Sequence, residues 1–71
     1  MNKGDIEIGI RAAQLVRKRG NYEDELRRLG LRKRVIYDWE HGMTPSGYSL
    51  QSLALRGYDV HYILTGHTKR G

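Results

Sequence analysis

Five of the nine glycines punctuate this chain. Gly20, Gly30, Gly42, Gly57 and Gly66 each follow a short stretch whose apolar residues recur at helical spacing, and a glycine just beyond the last periodic residue is the ordinary stop of a helix. No strand pattern, internal repeat or low-complexity run interrupts the series. The chain therefore reads as five short helices folded back on one another at glycines, an all-α arrangement. With 71 residues, one proline and 38% apolar content, it forms one small domain near the lower size limit for folding alone, with no room for a large catalytic cavity.

The first helix is expected between Asp5 and Arg19, where Ile8, Ala12, Leu15 and Val16 fall on one side. Asp5 is its expected N-cap, and Gly9 inside the pattern costs about 1 kcal/mol relative to alanine, so a frayed first turn is expected. In "NYEDELRRLG" Asn21 is the expected cap of a two-turn helix, with Asp24 imitating a capping box and Tyr22, Leu26 and Leu29 as the buried stripe. The three acids at positions 23 to 25 and Arg27 and Arg28 agree with the helix dipole. A third helix spans Arg32 to His41. At about 100° per residue, Leu31, Val35, Ile36 and Trp39 share one arc while Lys33, Arg34, Tyr37 and His41 fill the opposite one. "MTPSGYS" is a loop, after which Ser49 is expected to cap a helix with the stripe Leu50, Leu53 and Ala54. Asp59 is expected to cap a very short last helix, with Tyr58 stapled onto Ile63.

The net charge of +5 is localised. Residues 17 to 34 carry eight cations against three anions, and the rest of the chain carries five of each sign. An excess gathered into one quarter of the chain points to a polyanionic partner. The triplet Arg32, Lys33, Arg34 stands at the positive end of its helix, where the dipole disfavours each cation by about 0.3 to 1 kcal/mol. A phosphate ligand would offset that cost.

Other classes find little support. Without cysteine there is no disulfide framework and no thiolate metal site, and His41, His61 and His67 share no metal-ligand spacing. No apolar run approaches the roughly 18 residues of a membrane span, and "MNKGDIEIG" lacks a signal-peptide core, so a cytoplasmic protein is expected. Ser46, His41 and Asp38 can be drawn as a hydrolytic triad, but no nucleophile elbow or oxyanion loop accompanies them; neither enzyme activity nor a cofactor is expected.

Two short helices meeting at a glycine corner, the second with a basic, aromatic outer face, are how a helix-turn-helix reads from sequence. From about Ile8 to Gly66 the chain resembles the Cro and CI phage-repressor-like (XRE-like) helix-turn-helix domains of bacteria and their phages. The resemblance rests on "LGLRKRVIYDWEHG", on Pro45 after the third helix and on "LALRGYDVHYILTG" near the end. It implies a compact five-helix lambda-repressor-like domain over residues 1–66 in a protein of the bacterial cytoplasm; residues 67–71, which lack an apolar anchor, are expected to form a mobile tail. It also implies that the helix from Tyr22 to Leu29 lies across the DNA backbone while the next enters the major groove.

The base-reading positions of the family match Lys33, Arg34, Tyr37 and Asp38, although Asp38 lies at the edge of the exposed arc and can instead pair with Arg34 four residues away. Asn21, Tyr22, Arg27, Arg28, Arg32 and His41 are the phosphate candidates. Leu26 stands where the family usually has a small alanine, and Arg32 where it has a serine or threonine cap. Trp39 is expected in the core, and Glu40 at a position that holds the helix end in proteins resembling this one. Leu55 and Tyr62 fall off their buried stripes and are the candidates for a homodimer interface, the alternative being closure onto the first helix of the same chain. The expected function is a double-stranded-DNA-binding transcriptional regulator, a repressor that binds a palindromic operator as a dimer. The alternative is a protein-docking module that uses the basic face against an acidic partner.

Overall fold

The computed structural model describes the backbone of residues 3–67 and the side chains of residues 6–67. The expected mobile tail lies mostly outside the described residues; His67 itself is exposed. Five helices follow one another: α1 (Lys3–Lys18), α2 (Tyr22–Leu29), α3 (Lys33–Glu40), α4 (Gly47–Leu55) and α5 (Val60–Thr65). Among the described residues there is no strand. The longest helix, α1, packs against α2, α3 and α5, and α4 closes the far side against α2 and α5.

Small residues let α1 sit at the centre. Ala12, Ala13 and Val16 are fully buried, and around them gather Leu26 and Leu29 from α2, Ile36 and Trp39 from α3, Leu53 from α4, and Tyr58 and Ile63 at α5. The backbone comes closest at Gly9. A methyl group there would lie 2.7 Å from the Trp39 carbonyl oxygen and 3.2 Å from Trp39 Cα, and nearer still to the Met43 carbonyl. Gly9 is thus a packing residue that admits the end of α3. Asp5 lies within α1, since the helix begins at Lys3, so it does not occupy the expected N-cap position.

The α2–α3 corner shows why the glycine punctuation predicts helix ends. Gly30 takes φ 74°, its amide donates to the Arg27 carbonyl at 3.1 Å, and the Leu31 amide donates to the Leu26 carbonyl at 2.9 Å. This paired closure satisfies two orphan carbonyls and reverses the chain within a few residues. The same pattern recurs after α3, through Gly42 and Met43, and after α4, through Gly57 and Tyr58. Asp59 caps α5 as expected, its carboxylate accepting from the Tyr62 amide at 2.9 Å.

Three local expectations need correction. Asn21 precedes α2, but its side chain makes no capping bond, and Asp24 is held instead by Arg27. The cap of α4 is Ser46, whose hydroxyl accepts from the Ser49 amide at 3.2 Å; Gly47 belongs to the helix and Ser49 is buried within it. Ala54 is exposed, while Leu53 is fully buried and Leu50 packs against the core.

Arginines tie the helices together. Arg11 donates to the carbonyls of Ile63 and Leu64, at 2.9 and 3.3 Å, where α5 runs out of internal donors. Arg17 grips both carboxylate oxygens of Glu40, at 2.5 and 3.0 Å, and holds the end of α3 to α1. Arg19 lays its guanidinium 4.1 Å from the centre of the Tyr58 ring. Part of the basic stretch therefore serves the fold, and the excess left for a partner is smaller than the charge count suggests.

Candidate nucleic-acid interface

With Ile36 and Trp39 turned inward, α3 presents the opposite arc to solvent. The side chains of Lys33 and Arg34 are 67% and 80% exposed, Tyr37 is 52% exposed, and Arg32 and His41 are exposed at the two ends. Leu31 and Val35 are half-buried, so the arc expected from the helical wheel is the arc observed. Arg32 precedes the helix in extended conformation and its side chain makes no cap bond. The first amides of α3, ahead of the bond from Val35 to the Arg32 carbonyl, point out of the helix end as free donors.

An aromatic column stiffens this face. The rings of Tyr37 and His41 stack with centroids 4.1 Å apart, His41 Nδ1 lies 2.8 Å from the Tyr37 carbonyl oxygen, and the Arg34 guanidinium sits 5.9 Å from the centre of the Tyr37 ring. Positions 34, 37 and 41 are one helical stripe, so a cation, a phenol and an imidazole follow one another along the exposed side.

The cations are mostly paired. Lys33 Nζ reaches across to Glu23 Oε1 on α2 at 2.6 Å; that contact holds the Glu23 carboxyl below its ordinary pKa and the Lys33 ammonium above its own. Arg34 Nε lies 3.3 Å from Asp38 Oδ1, and Asp38 is only half-exposed. Asp38 therefore serves as the partner of Arg34. Arg27 is held by Asp24. Arg28 and Arg32 are exposed and make no ion pair among the described residues. Glu23, Leu26, Arg27, Leu31 and Lys33 line an open depression where α2 meets α3.

The remaining candidates divide. The start of α2, at Asn21 and Tyr22, has open backbone amides, but the Tyr22 ring is half-buried with Arg17 over it at 4.9 Å; only its amide is available. Leu55 is 81% exposed, whereas Tyr62 is half-buried, so the two do not make one fully exposed pair. Tyr48, Met43 and Leu64 are exposed apolar side chains that the sequence did not single out. Ser46, His41 and Asp38 each have other partners, namely Ser49, Tyr37 and Arg34.

Sequence reasoning missed Glu25. Its carboxylate is buried behind α2 and accepts from Arg56 at 2.7 and 3.3 Å and from the Tyr58 hydroxyl at 2.8 Å. Arg56 holds the Glu25 carboxyl below the usual range against the opposing effect of burial, while burial and the neighbouring carboxylate push the Tyr58 phenol up. Position 25 stands three residues after Tyr22 and four before Leu29, on the inward stripe, which was the available signal. This network ties α2 to the α4–α5 turn and so fixes the helix against which α3 is set.

No helix among the described residues is long and apolar enough to cross a membrane, and none of their His, Asp and Glu side chains cluster in threes as a metal site requires. No protein-family model, curated protein or solved structure matches the chain.

Proposed function

We propose that this chain is a sequence-specific double-stranded-DNA-binding regulator of the phage-repressor helix-turn-helix type, acting as a homodimer on a palindromic operator. The observation that carries the reading is the α2–Gly30–α3 unit. Its second helix buries Ile36 and Trp39 and turns Lys33, Arg34, Tyr37 and His41 outward, so the residues that would meet DNA are not used by the core. In this reading α3 lies in the major groove and α2 across the backbone.

Arg28, Arg32 and the free amides at the starts of α2 and α3 supply phosphate contacts, whose formation releases condensed counterions and makes affinity fall with salt. Arg34, aligned by Asp38, is the bidentate reader of a guanine edge, and Tyr37 contributes ring contact to a neighbouring base or methyl group. Phosphates near Arg32 relieve the cost of cations at the positive helix end. The function requires no catalytic group and no cofactor.

Size supports a dimer. The described residues measure 29 × 28 × 20 Å, narrow enough for two copies to sit side by side on one face of a duplex with their α3 helices in grooves one turn, about 34 Å, apart. Leu55, exposed on a helix without any charged residue, is the foremost contact candidate; Tyr62 is a secondary one.

Selection of bound duplexes from a random library tests the proposal. The expected product is a two-fold symmetric site bound at least about a thousandfold more tightly than random duplex. Capture of an acidic protein that survives nuclease treatment, with no duplex bound at low salt, would replace DNA by protein docking.

A further inference from the structure

We propose that Glu23 is a specificity-determining residue of the α3 face: its carboxylate occupies the Lys33 ammonium, so Lys33 engages a duplex only where a base edge, rather than a lone phosphate, is presented to it. The proposal rests on the DNA-binding function above. Glu23 belongs to the first turn of α2 and Lys33 opens α3, so their 2.6 Å contact spans the corner between the helices. Both side chains are about two-thirds exposed, which places the pair on the surface rather than in the core. The other carboxylates beside the face hold cations of their own helix, Asp24 to Arg27 and Asp38 to Arg34. Among the described residues, Glu23 is the only carboxylate that pairs with a cation across the α2–α3 corner.

The selectivity follows from charge. An exposed ion pair is weak enough to open, but what replaces Glu23 matters. If Lys33 moves to a phosphate, the abandoned carboxylate is left facing a polyanion well within one Debye length. If it turns to guanine, O6 and N7 are acceptors without net charge, and the three donors of the ammonium let Lys33 serve them while still holding Glu23. Backbone-only encounters therefore keep Lys33 on Glu23, and non-specific binding draws chiefly on Arg28 and Arg32. Because the first turn of α3 has no acid of its own, Glu23 also offsets the unfavourable helix dipole at Lys33; that structural role alone predicts no change in the salt slope of duplex binding.

The test is a double-mutant cycle on a random-sequence duplex, with the parent chain, Glu23→Gln, Lys33→Met and the double variant titrated from about 50 to about 200 mM salt. The expected result is that Glu23→Gln steepens the slope of log affinity against log salt by about 0.9, one additional phosphate, and tightens low-salt binding several-fold. In the Lys33→Met background the same substitution leaves the slope unchanged. An equal effect of Glu23→Gln in both backgrounds, or none in either, overturns the proposal while leaving DNA binding intact. If none of the four proteins binds duplex at the lowest salt, the DNA-binding function fails and Glu23's role falls with it.

Discussion

Gly9→Ala is the substitution for which helix propensity and packing give opposite signs. By propensity, alanine in the middle of α1 should stabilise the chain by about 0.5 to 1 kcal/mol. By packing, the new methyl group meets the Trp39 carbonyl oxygen at 2.7 Å and the Met43 carbonyl more closely still. These are backbone atoms at the end of α3 and cannot rotate aside, so α1 and α3 must separate. Overpacking of this kind costs about 1 to 3 kcal/mol, and the packing cost wins, for a net loss of about 1 to 2 kcal/mol. A chain of this size has about 4 to 10 kcal/mol of stability in total, so the loss should lower the melting temperature by roughly 5 to 15 °C. Gly47→Ala is the matched control. Gly47 is also helical, but nothing lies within 4 Å of its missing methyl, and its replacement should be neutral or mildly stabilising. Thermal and urea unfolding of the two variants beside the parent decide the matter. A Gly9→Ala chain that melts at or above the parent would refute the close approach of α1 to α3 and the placement of α3 derived from it.

Glu25→Ala removes a buried carboxylate from Arg56 and Tyr58; since the Arg56 side chain is 34% exposed, the loss should fall near 2 kcal/mol, below the usual cost of breaking a fully buried pair, as read by urea unfolding. The folded Glu25 carboxyl titrates below its unfolded value, so its stabilisation is complete above the ordinary glutamate pKa of about 4.3 and is lost as pH falls through the lower folded value. Glu25→Gln should accordingly flatten the decline in stability between about pH 5 and pH 3, and an unchanged acid limb would count against the network. Arg34→Ala should cost about 1 to 3 kcal/mol on a selected operator and much less on random duplex; an equal loss on every duplex would remove Arg34 as a base reader. Leu55→Asp should lower the cooperativity of operator binding without changing the melting temperature, as measured by sedimentation and calorimetry.

The legible parts of the sequence were those in which cause and effect lie within one turn of chain. Glycine after a periodic stretch marked the helix ends at Gly30, Gly42 and Gly57, because the closing hydrogen bonds there run between residues five or fewer positions apart. The outward arc of α3 was legible for the same reason, since Ile36 and Trp39 leave only one side for Lys33, Arg34 and Tyr37. What stayed hidden depends on neighbours distant in sequence. Gly9 looked like a weak spot in α1 because its partners are Trp39 and Met43, thirty or more positions away. Glu25 looked like a dipole-compensating surface acid because Arg56 and Tyr58 belong to another helix pair. Arg17 and Arg19 were counted with the basic excess, yet Glu40 and Tyr58 claim them. Serine is an equally good cap at position 46 or 49 by residue type, and only the path of the chain after Pro45 decides for Ser46.

The outward face of α3 as the surface that meets DNA is tested most directly by amide chemical shifts of the labelled chain titrated with a selected duplex. Shifts should concentrate at residues 32 to 41, led by Lys33, Arg34 and Tyr37, with a second group at residues 21, 22, 27 and 28. Should Lys33, Arg34 and Tyr37 stay fixed while α4 and α5 respond, DNA would be contacting the opposite side of the molecule and the assignment of α3 would be wrong.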